Sequence, residues 1–206
     1  MTSYPKRGKD DILLSSENAV LTVIDYQPMQ INSVNSMNRS ELVQNTEKVI
    51  RLAKLYDLPV VLSTVNVGTG GNDDTIPGIK RLLGKDFPSY DRTSINAWED
   101  KEYQEAIKAT GRKKIIMLAL WTEACLTFPT IDAISEGFDV YPVVDAVGGT
   151  SSLAHEAALK RVEQAGAHLT SIAQLGCELQ RDWNRKETVP EFDHIMTEFG
   201  AFSNLR

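Results

Sequence analysis

Short apolar runs alternate with longer segments of helical period along the chain, and this alternation constrains the fold more than any other feature. The runs are apolar at nearly every position, as strands are when helices cover both faces of a sheet. They span residues 19–24, 59–65, 114–120 and 139–144, with a weaker run at 167–172. The pattern predicts an α/β protein with a central parallel sheet.

Helix candidates fill the intervals between these runs. They span residues 40–56, 101–110, 123–136 and 152–165, and the last three are followed by Gly111, Gly137 and Gly166. Glycine is favoured just beyond a helix C-terminus because it adopts positive φ without strain. The tail predicts a further helix at 175–185 and then an irregular or short helical end. Since no repeat or linker interrupts the pattern, we interpret residues 1–206 as one domain with a C-terminal extension at about 175–206.

The composition excludes several classes of protein and partner. Apolar residues make up 42% and charged residues 24% of the 206 residues, which is ordinary for a globular domain and unlike disorder, collagen or a coiled coil. The 22 basic and 28 acidic residues give a net charge of −6, so neither nucleic acid nor an anionic membrane is an expected partner. The longest apolar run, residues 115–121, is too short to span a membrane. Two cysteines and the lack of an apolar segment near the N-terminus predict a cytoplasmic protein with reduced thiols.

Polar residues follow several predicted strands directly, at the edge where ligands bind in open α/β sheets. Asp25, Asn66, the turn at 122–125 and Asp145 hold such positions. Asp25 follows the first run without a spacer, so its carboxylate is expected at the carboxyl edge of the sheet. The alternative is an Asx turn that only ends the strand.

Cys125 is the second candidate because it lies just after the run at 114–120, at the start of a predicted helix. With Thr122 as N-cap, Cys125 occupies the third helical position, where free N–H groups and the helix dipole stabilise a thiolate. The same N–H groups can hold an oxyanion. The alternative is a small buried helix residue, the usual role of a free cysteine. Cys177, beside Glu178, is interpreted as structural.

A nucleophilic thiol requires a proton acceptor and benefits from a nearby cation. None of His155, His168 and His194 directly follows a clear strand, so a Cys–His pair is not favoured. Asp25 is the candidate base, and Arg92, which lies in a predicted long loop before a helix, is the candidate cation. The alternative for Arg92 is a solvated surface residue.

Walker, zinc-protease and Cys-x-x-Cys motifs are absent from the sequence. The glycine-rich stretch at residues 68–71 follows a strand, but Asn72, Asp73 and Asp74 come next instead of a helix. The two carboxylates repel phosphate, so we interpret this stretch as a mobile loop near the mouth of the site.

Three segments together give the chain a resemblance to the isochorismatase-like cysteine hydrolases, most closely to their YcaC-like subgroup. They are Val23-Ile24-Asp25-Tyr26-Gln27, Arg92-x-x-x-Asn96-Ala97-Trp98 and Leu120-Trp121-Thr122-Glu123-Ala124-Cys125, and the likeness to the subgroup extends to residues 177–183. The match runs from about residue 18 to about residue 184. The ordered set of three segments on a βα background makes the likeness specific.

The resemblance implies a three-layer α-β-α fold whose parallel sheet has the strand order 3-2-1-4-5-6. Strands one and four are then neighbours, and Asp25 and Cys125 meet between them. The family's Asp-Lys-Cys triad corresponds to Asp25, Arg92 and Cys125, with arginine in place of the commoner lysine. Its cis peptide bond corresponds to Leu120–Trp121, and its oxyanion hole to the backbone N–H groups of Trp121 and Cys125.

The resemblance also bears on ligands. Asn96, Trp98 and Trp121 are implied to line the substrate pocket, which the two indoles narrow. A metal site is not expected, since residues 64–67 contain none of the Asp and His ligands that the family's nicotinamidases carry after the second strand. True isochorismatases lack a nucleophilic cysteine, which Cys125 supplies here. No cofactor is implied.

The predicted function is metal-free hydrolysis of a C–N bond in a small amide or related acyl compound, through a thioester intermediate. The expected partners are a small-molecule substrate and, as in the family, further copies of the same chain, with residues 175–183 as the suggested interface. Two alternatives stay open. One is a non-catalytic or redox-responsive oligomer that binds a small molecule in the same pocket, and the other is an oligomer whose assembly is its function.

Overall fold

Five parallel strands form the centre of the molecule in a computed structural model that describes residues 8–201. They are β1 (Ala19–Ile24), β2 (Val60–Val65), β3 (Ser89–Arg92), β4 (Lys114–Ala119) and β5 (Asp139–Pro142). Their order is β3-β2-β1-β4-β5, and every neighbouring pair is parallel. Every residue of β1 and β4 is buried, as central strands covered on both faces require. The predicted α/β fold with a parallel sheet is confirmed.

Eight α-helices connect and cover these strands within residues 8–201. They are α1 (Pro28–Asn32), α2 (Arg39–Leu55), α3 (Pro77–Leu83), α4 (Lys101–Ala109), α5 (Thr127–Ser135), α6 (Ser152–Gln164), α7 (Ile172–Gln180) and α8 (Val189–Glu198). The side chains of Asn38, Asp100 and Ser151 accept backbone N–H groups at the N-termini of α2, α4 and α6. These caps explain why the three helices begin within one residue of their predicted positions. None of the described helices has the length and apolar character that a membrane crossing demands.

The predicted sixth strand, residues 167–172, is not present as a strand in the described part of the chain. The segment does lie beside β5, because His168 N–H donates to Val140 O at 2.9 Å and Thr170 N–H donates to Pro142 O at 3.0 Å. Only the isolated parallel bridge between Val143 and Thr170 results. The physical reason is Pro142, which has no N–H to donate on this side of β5 and so interrupts the ladder. The observed sheet therefore ends at β5.

The third strand, which the resemblance required but the apolar runs did not locate, is β3. It pairs with β2 from Leu62 opposite Ser89 to Val65 opposite Arg92. The prediction that Arg92 lies in a long loop is therefore wrong, since Arg92 is the last residue of this edge strand. The strand is short and polar, so hydrophobic pattern gave no signal for it.

The C-terminal helices α7 and α8 pack on the outer side of α2. Arg51 on α2 lies 2.7 Å from Glu191 and 2.6 Å from Glu198, and Tyr56 donates a hydrogen bond to Gln180 at 2.5 Å. Phe192 of α8 is buried in the same core as the sheet. The predicted helix at 175–185 is thus α7, which starts earlier and ends at Gln180. That residues 1–206 form one domain stays a prediction, and its two ends lie outside the described residues.

Candidate active site

Asp25 lies at the carboxyl end of β1, in the centre of the sheet. It has a positive φ of 62°, and its N–H donates to Ser63 O at 3.0 Å. The side chain is completely buried. A positive φ is costly for a residue other than glycine, so the chain turns here under constraint from its neighbours. The turn leaves a carboxylate in the protein interior, where it needs a cation or strong donors.

Arg92, at the end of β3, supplies the cation for this carboxylate. Its two terminal nitrogens donate to the two Asp25 carboxylate oxygens at 2.8 and 2.7 Å, a bidentate pair. Nη1 also donates to Ser63 Oγ at 3.1 Å and to Thr64 O at 3.0 Å. Burial by itself lowers the pKa of Arg92, but Asp25 outweighs it and holds the pKa above the ordinary value. The predicted meeting of Asp25 and Arg92 is therefore present in the structure, as a bidentate pair.

Cys125 lies in a π-helical turn, Thr122–Leu126, which follows the cis peptide bond between Leu120 and Trp121. The expectation that Thr122 caps an α-helix is wrong. Its hydroxyl instead lies 2.9 Å from His155 Nδ1, and its N–H donates to Gly148 O at 2.9 Å. These contacts connect the turn to α6 and to the segment before it. Cys125 was predicted to be the third residue of an α-helix. In the structure it lies instead in the wider π-helical turn.

The thiol of Cys125 faces the Asp25 carboxylate and donates a hydrogen bond to it. Burial raises the pKa of Cys125, and the negative charge of Asp25 together with this hydrogen bond raises it further, to about 12. Arg92 and the Trp121 N–H act in the opposite direction without reversing the effect. These effects oppose the resting thiolate that the sequence predicted and favour a protonated thiol beside the Asp25–Arg92 pair.

The backbone of Trp121 borders the thiol from the other side. Its N–H points at the Cys125 sulfur, and its indole Nε1–H donates to Gln30 O at 2.9 Å, which binds the half-buried ring to α1. The oxyanion hole built from the N–H groups of Trp121 and Cys125 stays a prediction, and the position of the Trp121 N–H is compatible with it.

Asn96 and Trp98 are both buried, and the polar groups of their side chains form hydrogen bonds within the protein. Asn96 Nδ2 donates to Asp132 Oδ2 at 2.7 Å, and its Oδ1 accepts from Trp98 N–H at 3.0 Å. Trp98 Nε1 donates to Glu136 at 2.9 Å, while its ring packs edge-on against Phe138 at 5.4 Å. These contacts fasten the segment after Arg92 to α5. That either side chain touches a substrate stays a prediction.

The glycine-rich loop at residues 68–71 is held by the residue before Arg92. Asp91 accepts the N–H groups of Val67 and Gly68 at 3.1 and 2.8 Å and the Thr64 hydroxyl at 3.0 Å. The backbone N–H groups of this loop, which would bind an anion in a phosphate loop, therefore bind the Asp91 carboxylate. These bonds fasten the start of the loop, which the sequence predicted to be mobile.

Gln27 is a structural residue of the site that the residue-by-residue reasoning did not single out. Its amide donates to Val65 O at 3.1 Å and to Asp73 O at 2.7 Å, and it accepts from Val65 N–H at 3.0 Å. It thereby binds the end of β2 and the far end of the glycine-rich loop to the turn after Asp25. Its place in the first segment of the resemblance was the available signal.

The other sequence candidates lie outside the Asp25–Arg92–Cys125 cluster. Asp145 accepts Ile172 N–H at 3.0 Å, and its burial raises the pKa of its carboxyl. The His168 ring stacks at 5.0 Å on Tyr141, and His194 Nε2 lies 2.9 Å from Glu198. Cys177 is exposed on α7. Burial lowers the pKa of His155, which favours its neutral form beside Thr122.

The described part of the chain contains no cluster of side chains suited to bind a metal ion. No group of three or more His, Cys, Asp or Glu side chains within residues 8–201 is placed to hold a metal ion.

Comparison with known proteins shows the family to which the chain belongs. The model of the isochorismatase domain matches residues 19–174. The Escherichia coli K12 protein named probable hydrolase YcaC is 32% identical over 208 residues, covering 96% of this chain and 99% of that protein. The match spans β1 to α7 and includes Asp25, Arg92 and Cys125.

Solved structures of similar proteins have the same fold. The structure of Escherichia coli YcaC, an octameric hydrolase of unknown specificity, has a TM-score of 0.80 and 32% identity, with 93% of this chain and 98% of that chain covered. The structure of YcaC from Pseudomonas aeruginosa with hexane-2,5-diol and covalent acrylamide also has a TM-score of 0.80, at 30% identity and with 96% and 100% of the two chains covered.

Proposed function

Because this chain belongs to the isochorismatase family, a family of hydrolases, we propose that it is a cysteine hydrolase that cleaves the C–N bond of a small amide or related acyl compound. Asp25, Arg92 and Cys125 carry out the reaction, and no metal ion takes part. The donor set supports this, since residues 64–67 at the carboxyl end of β2 offer no carboxylate or imidazole.

One observation carries the proposal. The buried Asp25 carboxylate is bound on both oxygens by Arg92 and also accepts a hydrogen bond from the Cys125 thiol. A nucleophile, a proton acceptor and a fixed positive charge thus meet at the carboxyl edge of the sheet, between β1 and β4. A purely structural cysteine needs neither of the other two groups.

The first half of the reaction forms a thioester. Cys125 sulfur bonds to the carbonyl carbon as its proton moves to Asp25, and the carbonyl π electrons move to oxygen. The N–H groups of Trp121 and Cys125 bind that oxyanion. When the carbonyl re-forms, the C–N bond breaks, and the Asp25 proton goes to the leaving nitrogen.

The second half returns the enzyme to its resting state. A water molecule gives a proton to Asp25 and adds its oxygen to the thioester carbon, again through an oxyanion. The C–S bond then breaks, the acid leaves, and the thiolate recovers the proton from Asp25. Arg92 stays charged throughout, because an arginine does not release its proton in proteins, so its role is electrostatic.

The raised pKa of Cys125 decides how the proton moves. A thiol with a pKa of about 12 is not ionised at neutral pH, so transfer to Asp25 has to accompany the attack. The negative charge then appears on the substrate oxygen, where backbone donors stabilise it, instead of resting on sulfur. This differs from a preformed thiolate, and it protects the cysteine from oxidation between turnovers.

The relatives support the proposal in two ways. Acrylamide is a small amide whose double bond reacts with thiols, and it is covalently bound in Pseudomonas aeruginosa YcaC. Escherichia coli YcaC is an octamer, and we include assembly into a homo-oligomer in the proposal for this chain. A small-molecule substrate and a cytoplasmic location belong to the same proposal.

Substitution of the two reacting groups tests the function. A panel of small amides is screened by release of ammonia or amine, and trapped acyl-enzyme is sought by mass spectrometry. Cys125→Ser and Asp25→Asn are each expected to lose activity by about a thousandfold or more, since the members of a catalytic unit act together. Cys177→Ser is the matched control and should keep full activity. A Cys125→Ser protein that hydrolyses amides at the wild-type rate would refute the proposal.

The redox-responsive alternative is less well supported by the surroundings of Cys125. Oxidation to sulfenic acid follows thiolate character and exposure. Cys125 is buried, and the pKa of its thiol is raised, so both conditions are unfavourable.

A further inference from the structure

Thr122 lies in the chain between Trp121 and Cys125, the two residues whose N–H groups form the proposed oxyanion hole. It is completely buried. Its N–H donates to Gly148 O at 2.9 Å, and its hydroxyl lies 2.9 Å from His155 Nδ1. Both contacts leave the π-helical turn, the first for the segment before α6 and the second for α6 itself. A shift of Thr122 would therefore move the peptide groups on either side of it.

Hydrogen bonds inside the turn fix its shape but not its orientation. The carbonyl oxygen of Trp121 accepts the N–H groups of Ala124 at 3.1 Å and Leu126 at 3.2 Å. The carbonyl oxygen of Thr122 accepts the Thr127 hydroxyl at 2.6 Å. All of these partners lie within six residues of one another in the chain, so the direction of the turn as a whole depends on its contacts with more distant segments.

Glu123, the next residue of the turn, makes a second contact with the segment before α6. Its Oε1 accepts the N–H and the hydroxyl of Thr150 at 2.9 and 2.6 Å. Its Oε2 is buried and has no hydrogen-bond partner among the described residues, which is costly for a carboxylate. A Cβ atom on Gly149 would lie 2.6 Å from this oxygen and 3.1 Å from His155 Cβ, so only glycine permits this close packing.

We propose that His155 is a positioning residue of the reaction. Through the Thr122 hydroxyl it orients the turn so that the N–H groups of Trp121 and Cys125 point at the same substrate oxygen. This inference rests on the proposed function and assigns a supporting residue to its oxyanion hole. Because burial lowers the pKa of His155, the ring is neutral and contributes geometry instead of charge.

Two reactions of Cys125 separate this role from a general effect on the fold. With p-nitrophenyl acetate, the sulfur bonds to the carbonyl carbon through an oxyanion, Asp25 takes the thiol proton, and nitrophenolate leaves with the electrons of the broken C–O bond. With iodoacetamide, the sulfur bonds to carbon as iodide leaves, and no oxyanion forms. Both rates at Cys125 are measured at pH 8.5 by peptide mass spectrometry, in the full-length protein with Cys177→Ser as background.

Thr122→Val and His155→Leu remove the contact from its two sides. We expect each to lower the acylation rate at least tenfold and to leave the alkylation rate within threefold, since only acylation needs the oxyanion hole. Both variants break the same contact, so the double variant should be no slower than the slower single one. Thr122→Ser and His155→Asn keep polar atoms able to form the contact and should restore most of the acylation rate.

Matched controls are His168→Leu, at a histidine whose ring stacks on Tyr141, and Thr46→Val, at a buried threonine whose hydroxyl donates to Leu42 O at 2.8 Å. Both controls should leave the two rates unchanged. Wild-type acylation in His155→Leu would overturn the inference. So would equal losses of acylation and alkylation, or no recovery in the two conservative variants.

Unfolding of a variant is recognised by faster alkylation of Cys125, because the thiol is buried only in the folded chain. If His155→Leu unfolds, the nearly isosteric Thr122→Val decides. Failure of the proposed function is distinguishable, because wild-type Cys125 is then acylated in a His155-dependent manner while no amide is hydrolysed. If wild-type Cys125 is not acylated at all, the inference is overturned together with the proposed function.

Discussion

Two buried cations lie at opposite edges of the sheet and are held in different ways. Arg92 is 3% exposed at the carboxyl edge and binds the Asp25 carboxylate, whereas Lys114 is 7% exposed at the start of β4. Lys114 Nζ donates to the carbonyl oxygens of Asp11 at 2.9 Å and Ile12 at 2.5 Å. Burial lowers the pKa of Lys114, while Asp25 holds the pKa of Arg92 above its ordinary value.

The difference shows that a buried charge does not by itself mark a functional site. Neutral carbonyl oxygens cannot take up a proton at ordinary pH, so Lys114 can only fasten the segment at 11–13 onto the sheet. A carboxylate can exchange a proton, and Asp25 lies beside Cys125, the proposed nucleophile. The nature of the partner therefore separates a structural cation from one that supports chemistry.

The largest expected effect comes from removing each cation in turn. Arg92→Met leaves the Asp25 carboxylate buried without a partner, so we expect a loss of about 3–5 kcal/mol in the free energy of unfolding and no measurable hydrolysis. Lys114→Met leaves carbonyl oxygens without a donor, so we expect a loss of about 1–3 kcal/mol with activity within twofold of wild type. Urea unfolding and amide hydrolysis measure the two quantities.

Arg92→Lys keeps the charge but not the bidentate geometry, and it should recover part of both losses. If Lys114→Met abolished activity in a folded protein, the separation between the two cations would be wrong.

A smaller effect is expected in the reactivity of Cys125. Since the pKa of its thiol is raised to about 12, alkylation by iodoacetamide at pH 7.5 should be at least tenfold slower than at exposed Cys177 and should rise with pH without levelling below pH 10. Asp25→Asn removes the charge that raises this pKa, so it should speed alkylation while it abolishes hydrolysis. Lys114→Met should leave the profile unchanged. A levelling well below pH 8 in the wild type would instead indicate a resting thiolate.

The smallest expected effect is on stability at alkaline pH. The pKa of Lys114 is lower in the folded than in the unfolded chain, so between the folded value and about 10.5 the unfolded chain binds more protons. Stability contributed by this residue therefore rises with pH across that window. Urea unfolding of wild type and Lys114→Met at pH 7.5 and pH 10 should therefore show the larger loss of stability at pH 10. A loss that does not depend on pH would show that the Lys114 pKa is not shifted.

The fold could be predicted where hydrophobic pattern and local caps determine it. The runs that became β1, β2 and β4 are buried strands, and the starts of α2, α4 and α6 follow their capping residues. Pattern failed at β3, because an edge strand that reads Ser-Tyr-Asp-Arg is held by pairing with β2 and by its side-chain bonds. It also failed beyond β5, where one proline prevents a sixth strand.

The sequence was sufficient to predict which residues form the site, but not the pKa of the Cys125 thiol. Strand ends and the resemblance indicated Asp25, Arg92 and Cys125, because parallel strands bring their carboxyl ends together. The protonated state of Cys125 depends on burial and on a facing carboxylate. Both arise from tertiary packing, and neither leaves a mark in the local sequence.

Side chains alternate between the two faces of β3, so its last two residues, Asp91 and Arg92, point their opposite charges in opposite directions. Asp91 faces Thr64 and the glycine-rich loop, whereas the next residue, Arg92, faces Ser63 and Asp25. A slip of the strand by a single position would exchange these directions, so that a carboxylate would face the Asp25 carboxylate and a guanidinium would face the backbone N–H groups of the loop. The register in which Val65 pairs with Arg92 therefore determines both contacts together. A shift by one residue would lose the Arg92–Asp25 pair and the bonds between Asp91 and the loop at once.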